Sequence, residues 1–418
     1  MDVVKSLSIL KLMLLAVAFS SCAQNKTAES VTAASSATSL CGGQAVATSF
    51  IVQWEDGSFS VENGKSMDQF RDTFVKDNLS LIKHVDQNRR IQLPVQEKLT
   101  VRAADVNALN APMNWGPQMI QASALWNKNL NGDDVIVAVI DGMVDVTHSQ
   151  LKSNILVNMN EIPNNGIDDD NNGFIDDVYG VQINKEKNDP SINKHGSHVA
   201  GIIAADSTAG PIQGVAPRAK ILPAQFIGND EGGLLGDAII AMNYAASRGA
   251  KIINMSWGGA PCLPTLQAAM KALSDRGILL VTASGNDGAN MDRSPSYPSA
   301  FNLFNQINVA ASTIDDFMIY FSNRGVHNVH VAAPGVDIYS TIPGNKIESM
   351  SGTSMSAPMT SGAAALLWGA FPSATAQQIK QALFTGVDVV SGHEFEVSTR
   401  GRINVNKSYE ALKKTLGL

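Results

Sequence analysis

Ser354 stands in Gly352-Thr353-Ser354-Met355-Ser356-Ala357-Pro358, where a loop of glycine and serine runs into a long apolar helical pattern. A hydroxyl at a helix start sits among unpaired backbone N–H groups and near the positive end of the helix dipole, which suits an alkoxide nucleophile and the oxyanion it creates. Such a nucleophile needs a base to take its proton and a carboxylate to orient that base. His195 opens the small-residue stretch His195-Gly196-Ser197-His198-Val199-Ala200-Gly201, read as a helix whose first residue faces a cleft. Asp141 ends the apolar run from Val135 to Ile140, read as a fully buried strand of a parallel sheet. The carboxyl ends of such strands are where α/β sheets place chemistry. Taken singly, the three are as readily an N-cap, a loop histidine and a turn former; taken together they point to acyl transfer.

The surrounding pattern supplies elements to position them. Strand patterns at 220–226, 251–255, 278–283 and 307–311 alternate with helical patterns at 234–248, 264–275, 353–370 and 375–385. That alternation predicts an α/β fold, a mostly parallel sheet with helices on both faces. A length of 418 residues allows one large domain and smaller N-terminal pieces. The net charge of −7, with no basic cluster, excludes nucleic acid as a partner. No internal repeat is evident.

The order Asp141, His195, Ser354 in these contexts resembles the subtilisin-like serine proteases, the subtilase family, from about Asn114 to the end of the chain. A fourth segment, Val281-Thr282-Ala283-Ser284-Gly285-Asn286, matches the family's oxyanion-hole asparagine at Asn286. By the same resemblance, Ser256, Trp257, Gly258 and Gly259, after the strand pattern of Lys251 to Met255, pair with an extended substrate backbone, and Ala283, Ser284 and Gly285 line the substrate pocket. Trp257 is left open between pocket wall and core. Gly401-Arg402-Ile403-Asn404 resembles the family's closing motif. The resemblance implies a monomeric serine endopeptidase of the peptidase S8 type with a three-layer fold and no cofactor in its chemistry. The alternative is a subtilase-fold envelope protein that binds peptides with a vestigial triad. The chain departs from the family pattern at Gly142 and Ser197, where Ser or Thr and Thr are usual, and at Ser284, where Ala is commoner; the expected effect is on rate alone.

Ahead of the protease domain (114–418), residues 1–21 read as a signal peptide, with Lys5 and Lys11 before the apolar run Leu12 to Phe19. Ser20-Ser21-Cys22 resembles a bacterial lipoprotein processing site, which makes Cys22 the lipidated residue and the membrane a partner; ordinary cleavage nearby is the alternative. Export from a bacterial cytoplasm follows, to the envelope if anchored and otherwise to the medium. Residues 22–40, rich in Ser, Thr and Ala, read as a disordered tether. Within 41–100, Phe50 to Trp54 reads as a strand, Ser66 to Lys76 as an amphipathic helix and Leu79 to Leu93 as one or two strands. This segment resembles a subtilase pro-segment, or else is a plain extension packed on the domain; 101–113 is a linker.

Between Asp141 and His195 lies an acidic insertion, Asn164 to Asp177. Asp168, Asp170, Asn172, the carbonyl of Phe174 and Asp176 follow half of an EF-hand spacing, with Tyr179 in place of the closing glutamate. The expectation is a structural Ca²⁺ site completed by Asp177 or water, against a solvated acidic loop. If Cys22 is lipidated, Cys41 and Cys262 are the remaining thiols of an exported chain, free to pair or to stay unpaired.

Overall fold

The computed structural model describes residues 26–32, 44–91, 112–184, 194–228, 232–394 and 396–418. The signal peptide, Cys22, Cys41 and nearly all of the linker lie outside these residues. The first described helix, α1 (Ala28–Thr32), corrects part of the tether reading. Thr27 and Ser30 exchange hydrogen bonds at its start, and Ala28 and Val31, one turn apart, are buried against the next unit.

That unit is a small antiparallel sheet. Strands β1 (Gln44–Trp54), β2 (Phe59–Asn63) and β3 (Ile82–Ile91) are joined by helix α2 (Met67–Phe70), which widens into a π turn at Arg71–Val75. The alternation along β1 splits its side chains. Phe50 and Val52 join Phe70, Val75, Ile82 and Val85 in a core of their own, while Ile51 points into the core of the larger domain. Strand β3 then pairs with β7 (Gly233–Leu234), a short strand of that domain.

The larger domain is built on nine strands: β4 (Ile136–Asp141), β5 (Val181–Gln182), β6 (Lys220–Gln225), β8 (Ile252–Met255), β9 (Leu279–Ala283), β10 (Gln306–Ser312), β11 (Val331–Pro334), β14 (Asp388–Val389) and β15 (Gly401–Arg402). They run in the order β14-β15-β11-β10-β9-β8-β4-β6-β5, parallel throughout except between β14 and β15. Val137 and Val139 face one core, with helices α5 (His195–Ala204) and α8 (Thr353–Ala370); Ala138 and Ile140 face the other, with α6 (Leu235–Ser247) and α7 (Pro264–Asp275). Side chains buried on both faces explain the unbroken apolar runs of the strands. Helices α3 (Trp115–Met119), α4 (Ser123–Trp126), α9 (Ala376–Thr385) and α10 (Val405–Thr415) close the α5/α8 face. The expected three-layer α/β fold is present, and the predicted strands and helices agree with it to within a residue or two.

The sequence reading had no counterpart for the hairpin β12 (Ile338–Ile342) and β13 (Lys346–Met350). It packs on α5, with the Ser340 and Thr341 hydroxyls donating to the His198 and Ser197 carbonyls at 2.7 and 2.8 Å. Among the described residues no helix is long and apolar enough to cross a membrane.

Candidate active site

Asp141 is the last residue of β4, an interior strand of the sheet between β8 and β6, and is completely buried. One carboxylate oxygen accepts from the Gly142 N–H at 2.6 Å and meets Nδ1 of His195 at 2.8 Å. A carboxylate only accepts, so the contact holds the imidazole proton on Nδ1 and leaves the Nε2 lone pair open. The other oxygen, Oδ2, has no hydrogen-bond partner among the described residues. Ser197 keeps its hydroxyl in use, accepting from the Asp145 N–H at 2.8 Å and so tying the loop after Asp141 to α5. One turn on, burial and the charges of His195 and Lys194 push His198 down to about 3, so this inner histidine is neutral.

Ser354 is the second residue of α8. Its hydroxyl donates to the Ser256 carbonyl at 2.8 Å, and no hydrogen bond joins it to His195 in this conformation. In return the Ser256 hydroxyl donates to the Ser354 carbonyl at 2.9 Å. The exchange has a local cause. Residue 358, which in an α-helix would donate to that carbonyl, is a proline and has no N–H. A buried relay continues from Ser256 through Asn254 to Ser361 on the same helix, at 2.9 and 2.8 Å.

Asn286 is fixed by the residue before Ser354. Its Oδ1 accepts from both the N–H and the hydroxyl of Thr353, each at 2.9 Å. A main-chain N–H is always a donor, so Nδ2 must face the opposite way. Neither Nδ2 nor the Ser354 N–H donates to any described residue. The two donors converge: a β-carbon on Gly352 would lie 3.2 Å from Asn286 Nδ2 and 3.7 Å from Ser354 N. Gly352, at φ 155°, keeps that space clear.

Gly259 borders open space, since a β-carbon there would meet nothing within 4 Å, while one on Gly258 would only touch the Ser296 hydroxyl and the Tyr297 carbonyl at 3.9 Å. Trp257 is settled differently: the indole is wholly buried, donates to the Ile140 carbonyl at 2.9 Å and packs edge-on to Phe226. Its side chain belongs to the core, and the substrate-contact expectation narrows to its main chain. Ala283 and Ser284 are also buried, with the Ser284 hydroxyl on the Asn323 carbonyl. Gly285 donates to the Thr353 hydroxyl at 3.1 Å. Cys262 is a partly buried free thiol, and Cys41, its expected partner, lies outside the described residues.

The acidic insertion is folded, but not in the expected ligand arrangement. Oxygens of Asp168, Asp170 and Glu161 lie within 4.8 Å of one another. Glu161, which the sequence reading missed, precedes the repeat of acids and takes main-chain N–H groups of Asp169, Asp170 and Asp176. Asp176 turns instead to the N–H groups of Asn165 and Gly166. The side chain of Asn172 joins Asp177 to the Phe174 N–H. Asp177, expected to complete the site, is buried and receives the hydroxyl of Tyr244 at 2.6 Å.

A central parallel sheet, a carboxylate at a strand end held to a helix-start histidine, and a serine entering a second helix beside two unused donors together define a serine hydrolase. The chain belongs to the subtilase family, peptidase S8, whose model matches residues 132–409. It is 37% identical over 266 residues to the major intracellular serine protease of Bacillus subtilis strain 168, covering 63% of this chain and 76% of that one. It is 36% identical over 280 residues to the thermophilic serine proteinase of Bacillus sp. strain AK1 (66% and 62%). Against subtilisin BL of Lederbergia lenta it is 34% identical over 269 residues (64% and 89%). The protein is a serine endopeptidase.

Proposed function

We propose that it hydrolyses peptide bonds through an Asp141–His195–Ser354 triad and an acyl-enzyme. Rotation about the Ser354 Cα–Cβ bond takes the hydroxyl from the Ser256 carbonyl to His195 Nε2, which removes its proton as the oxygen attacks a peptide carbonyl. Asp141 holds the tautomer. The tetrahedral oxyanion lies between Asn286 Nδ2 and the Ser354 N–H, and the substrate backbone runs along Ser256 to Gly259. Collapse of the oxyanion breaks the C–N bond as His195 gives its proton to the leaving amine; water, deprotonated by His195 in turn, then hydrolyses the ester and the proton returns to Ser354. The observation that carries this reading is the convergence of two unused donors on the space that Gly352 leaves open. It is tested by labelling the purified full chain with a fluorophosphonate: label on Ser354 that is lost in Ser354→Ala is expected, while folded, processed protein that takes no label favours the peptide-binding alternative.

The antiparallel unit of residues 44–91 is read as a pro-segment. Asp86 and Asn88 on β3 receive the first N–H groups of α7 and α6, Thr265 N at 2.9 Å and Gly236 N at 3.0 Å. Glu161, Asp168 and Asp170 offer hard oxygens at separations that one Ca²⁺ spans, and a rise in melting temperature on adding calcium is the check. Lipidation at Cys22 rests on the sequence alone; the mass of the mature N-terminal peptide decides it.

A further inference from the structure

We propose that the cleft beside Asp141 is a second recognition surface, which captures a segment of the substrate polypeptide carrying a lysine or arginine next to an aliphatic residue, away from the bond being cut. This rests on the protease reading above but is tested without turnover.

The cleft has a volume of about 880 Å³. One wall is the loop Met143 to Thr147, the other the stretch from Gly173 to Gln182, which runs from the acidic insertion into β5, with Pro223 and Gln225 as floor and Pro343 and Gly344 at one end. The floor fixes its position. Gln225 stands opposite Asp141 in the β4–β6 pairing and opposite Gln182 in the β5–β6 pairing, so the cleft lies over the carboxyl ends of those strands. The first wall is bound to the helix of His195 through the Asp145 N–H and Ser197. The second wall is braced from behind. Asp177 takes Asn158 Nδ2 at 2.8 Å and the Tyr244 hydroxyl, Arg248 lies 3.6 Å from it, and the Phe174 ring packs edge-on to Tyr244 with centroids 5.0 Å apart.

Its chemistry is one-sided. Asp145, Asp176 and Asp177 line it, and among the described residues no lysine or arginine does. Asp177 is matched by Arg248, but Asp145 is held only by neutral donors: the N–H and hydroxyl of Thr147 and the N–H of Gly344. Burial works against the Asp145 carboxylate, yet those hydrogen bonds keep it below the usual range, so it is charged at neutral pH. Apolar surface stands beside this charge. Ile175 is 55% and Tyr179 49% exposed on the second wall, Ile167 is exposed on the acidic insertion, and Met159 and Ile162 are exposed just before it. Large exposed apolar groups gathered on one polar loop mark a surface that a partner covers. A small cation would leave the apolar wall uncovered, and an anionic polymer is repelled by Asp145. A basic and aliphatic peptide answers both features.

The test uses the full chain carrying Ser354→Ala and two fluorescein-labelled peptides, identical except that a Lys-Leu pair in one is Glu-Ser in the other. Fluorescence anisotropy is expected to give about tenfold tighter binding of the Lys-Leu peptide. Most of that preference disappears with Asp145→Asn, which retains an acceptor for Thr147, and separately with Ile175→Ser plus Tyr179→Ser, which alter only exposed side chains. Equal affinities, or a preference that survives both changes in proteins with unaltered melting curves, overturn the proposal. So does self-association that Ile175→Ser plus Tyr179→Ser abolishes without any peptide preference, an outcome that makes the occupant a second copy of the chain. Because the serine is already absent, these results are independent of fluorophosphonate labelling, and either reading can fail while the other stands.

Discussion

Helices α6 and α7 on one face of the sheet and α5 and α8 on the other all begin without a side-chain cap of their own. Their free N–H groups meet different ends. On the first face the neighbouring unit supplies the missing acceptors, Asn88 to α6 and Asp86 to α7. On the second face the helix starts carry His195 and Ser354, and the N–H of Ser354 stays unused. Of the helices that take no part in either arrangement, the longer α9 and α10 cap themselves with Thr375 and Asn404, while the one-turn helices α3 and α4 have no side-chain cap. The contrast teaches that, among the long helices of this fold, a missing cap marks a place completed from outside, by a docked segment on one face and by the reacting substrate on the other.

Three changes break or sharpen that contrast. Asn286→Ala removes one of the two converging donors and is expected to lower kcat about 10²- to 10³-fold with little change in KM; a loss confined to KM would mean that the donor acts on bound substrate and not on the oxyanion. Asp86→Ala strips the acceptor from Thr265 N and its hydroxyl, both at the start of α7. It is expected to cost about 2 kcal/mol, seen as faster hydrogen exchange along β3 with fluorophosphonate labelling unchanged; unaltered exchange would show that the cap does not hold the unit. The smallest effect is on pH dependence. Burial raises Asp237, in the first turn of α6, to about 6, against the opposing pull of Arg90 on β3. A carboxyl raised in the docked state favours docking while it is protonated. That contribution is complete below about pH 4, the unperturbed range, and is lost as the pH rises through about 6. The hold on the N-terminal unit is therefore expected to be tighter at pH 4 than at pH 7, and Asp237→Asn flattens the slope.

The sheet was legible because its strands are apolar on both faces, and α8 because its run of small and apolar residues is long. The Asp141–His195 contact followed from placing one residue at a strand end and the other at a helix start. What stayed hidden had no pattern to carry it. In the β12–β13 hairpin the buried positions facing α5 hold Ser340 and Thr341, so the alternation of apolar residues that betrays a strand is missing. Glu161 lies seven positions before Asp168, outside any ligand spacing read from the acidic repeat. The Trp257 side chain belongs to the core because its N–H finds the Ile140 carbonyl across the sheet, a partner that no local sequence identifies.

Pro358 has one further consequence. Its missing N–H leaves the Ser354 carbonyl to the hydroxyl of Ser256. Any other residue at 358 would return a donor to the helix that competes with the Ser256 hydroxyl for that carbonyl, leaving the Ser354 hydroxyl on the Ser256 carbonyl as the remaining link. Loss of the hydroxyl at 256 would leave a helix carbonyl with no partner to replace it. The two positions are thus coupled through one hydrogen bond although 102 residues apart in the chain.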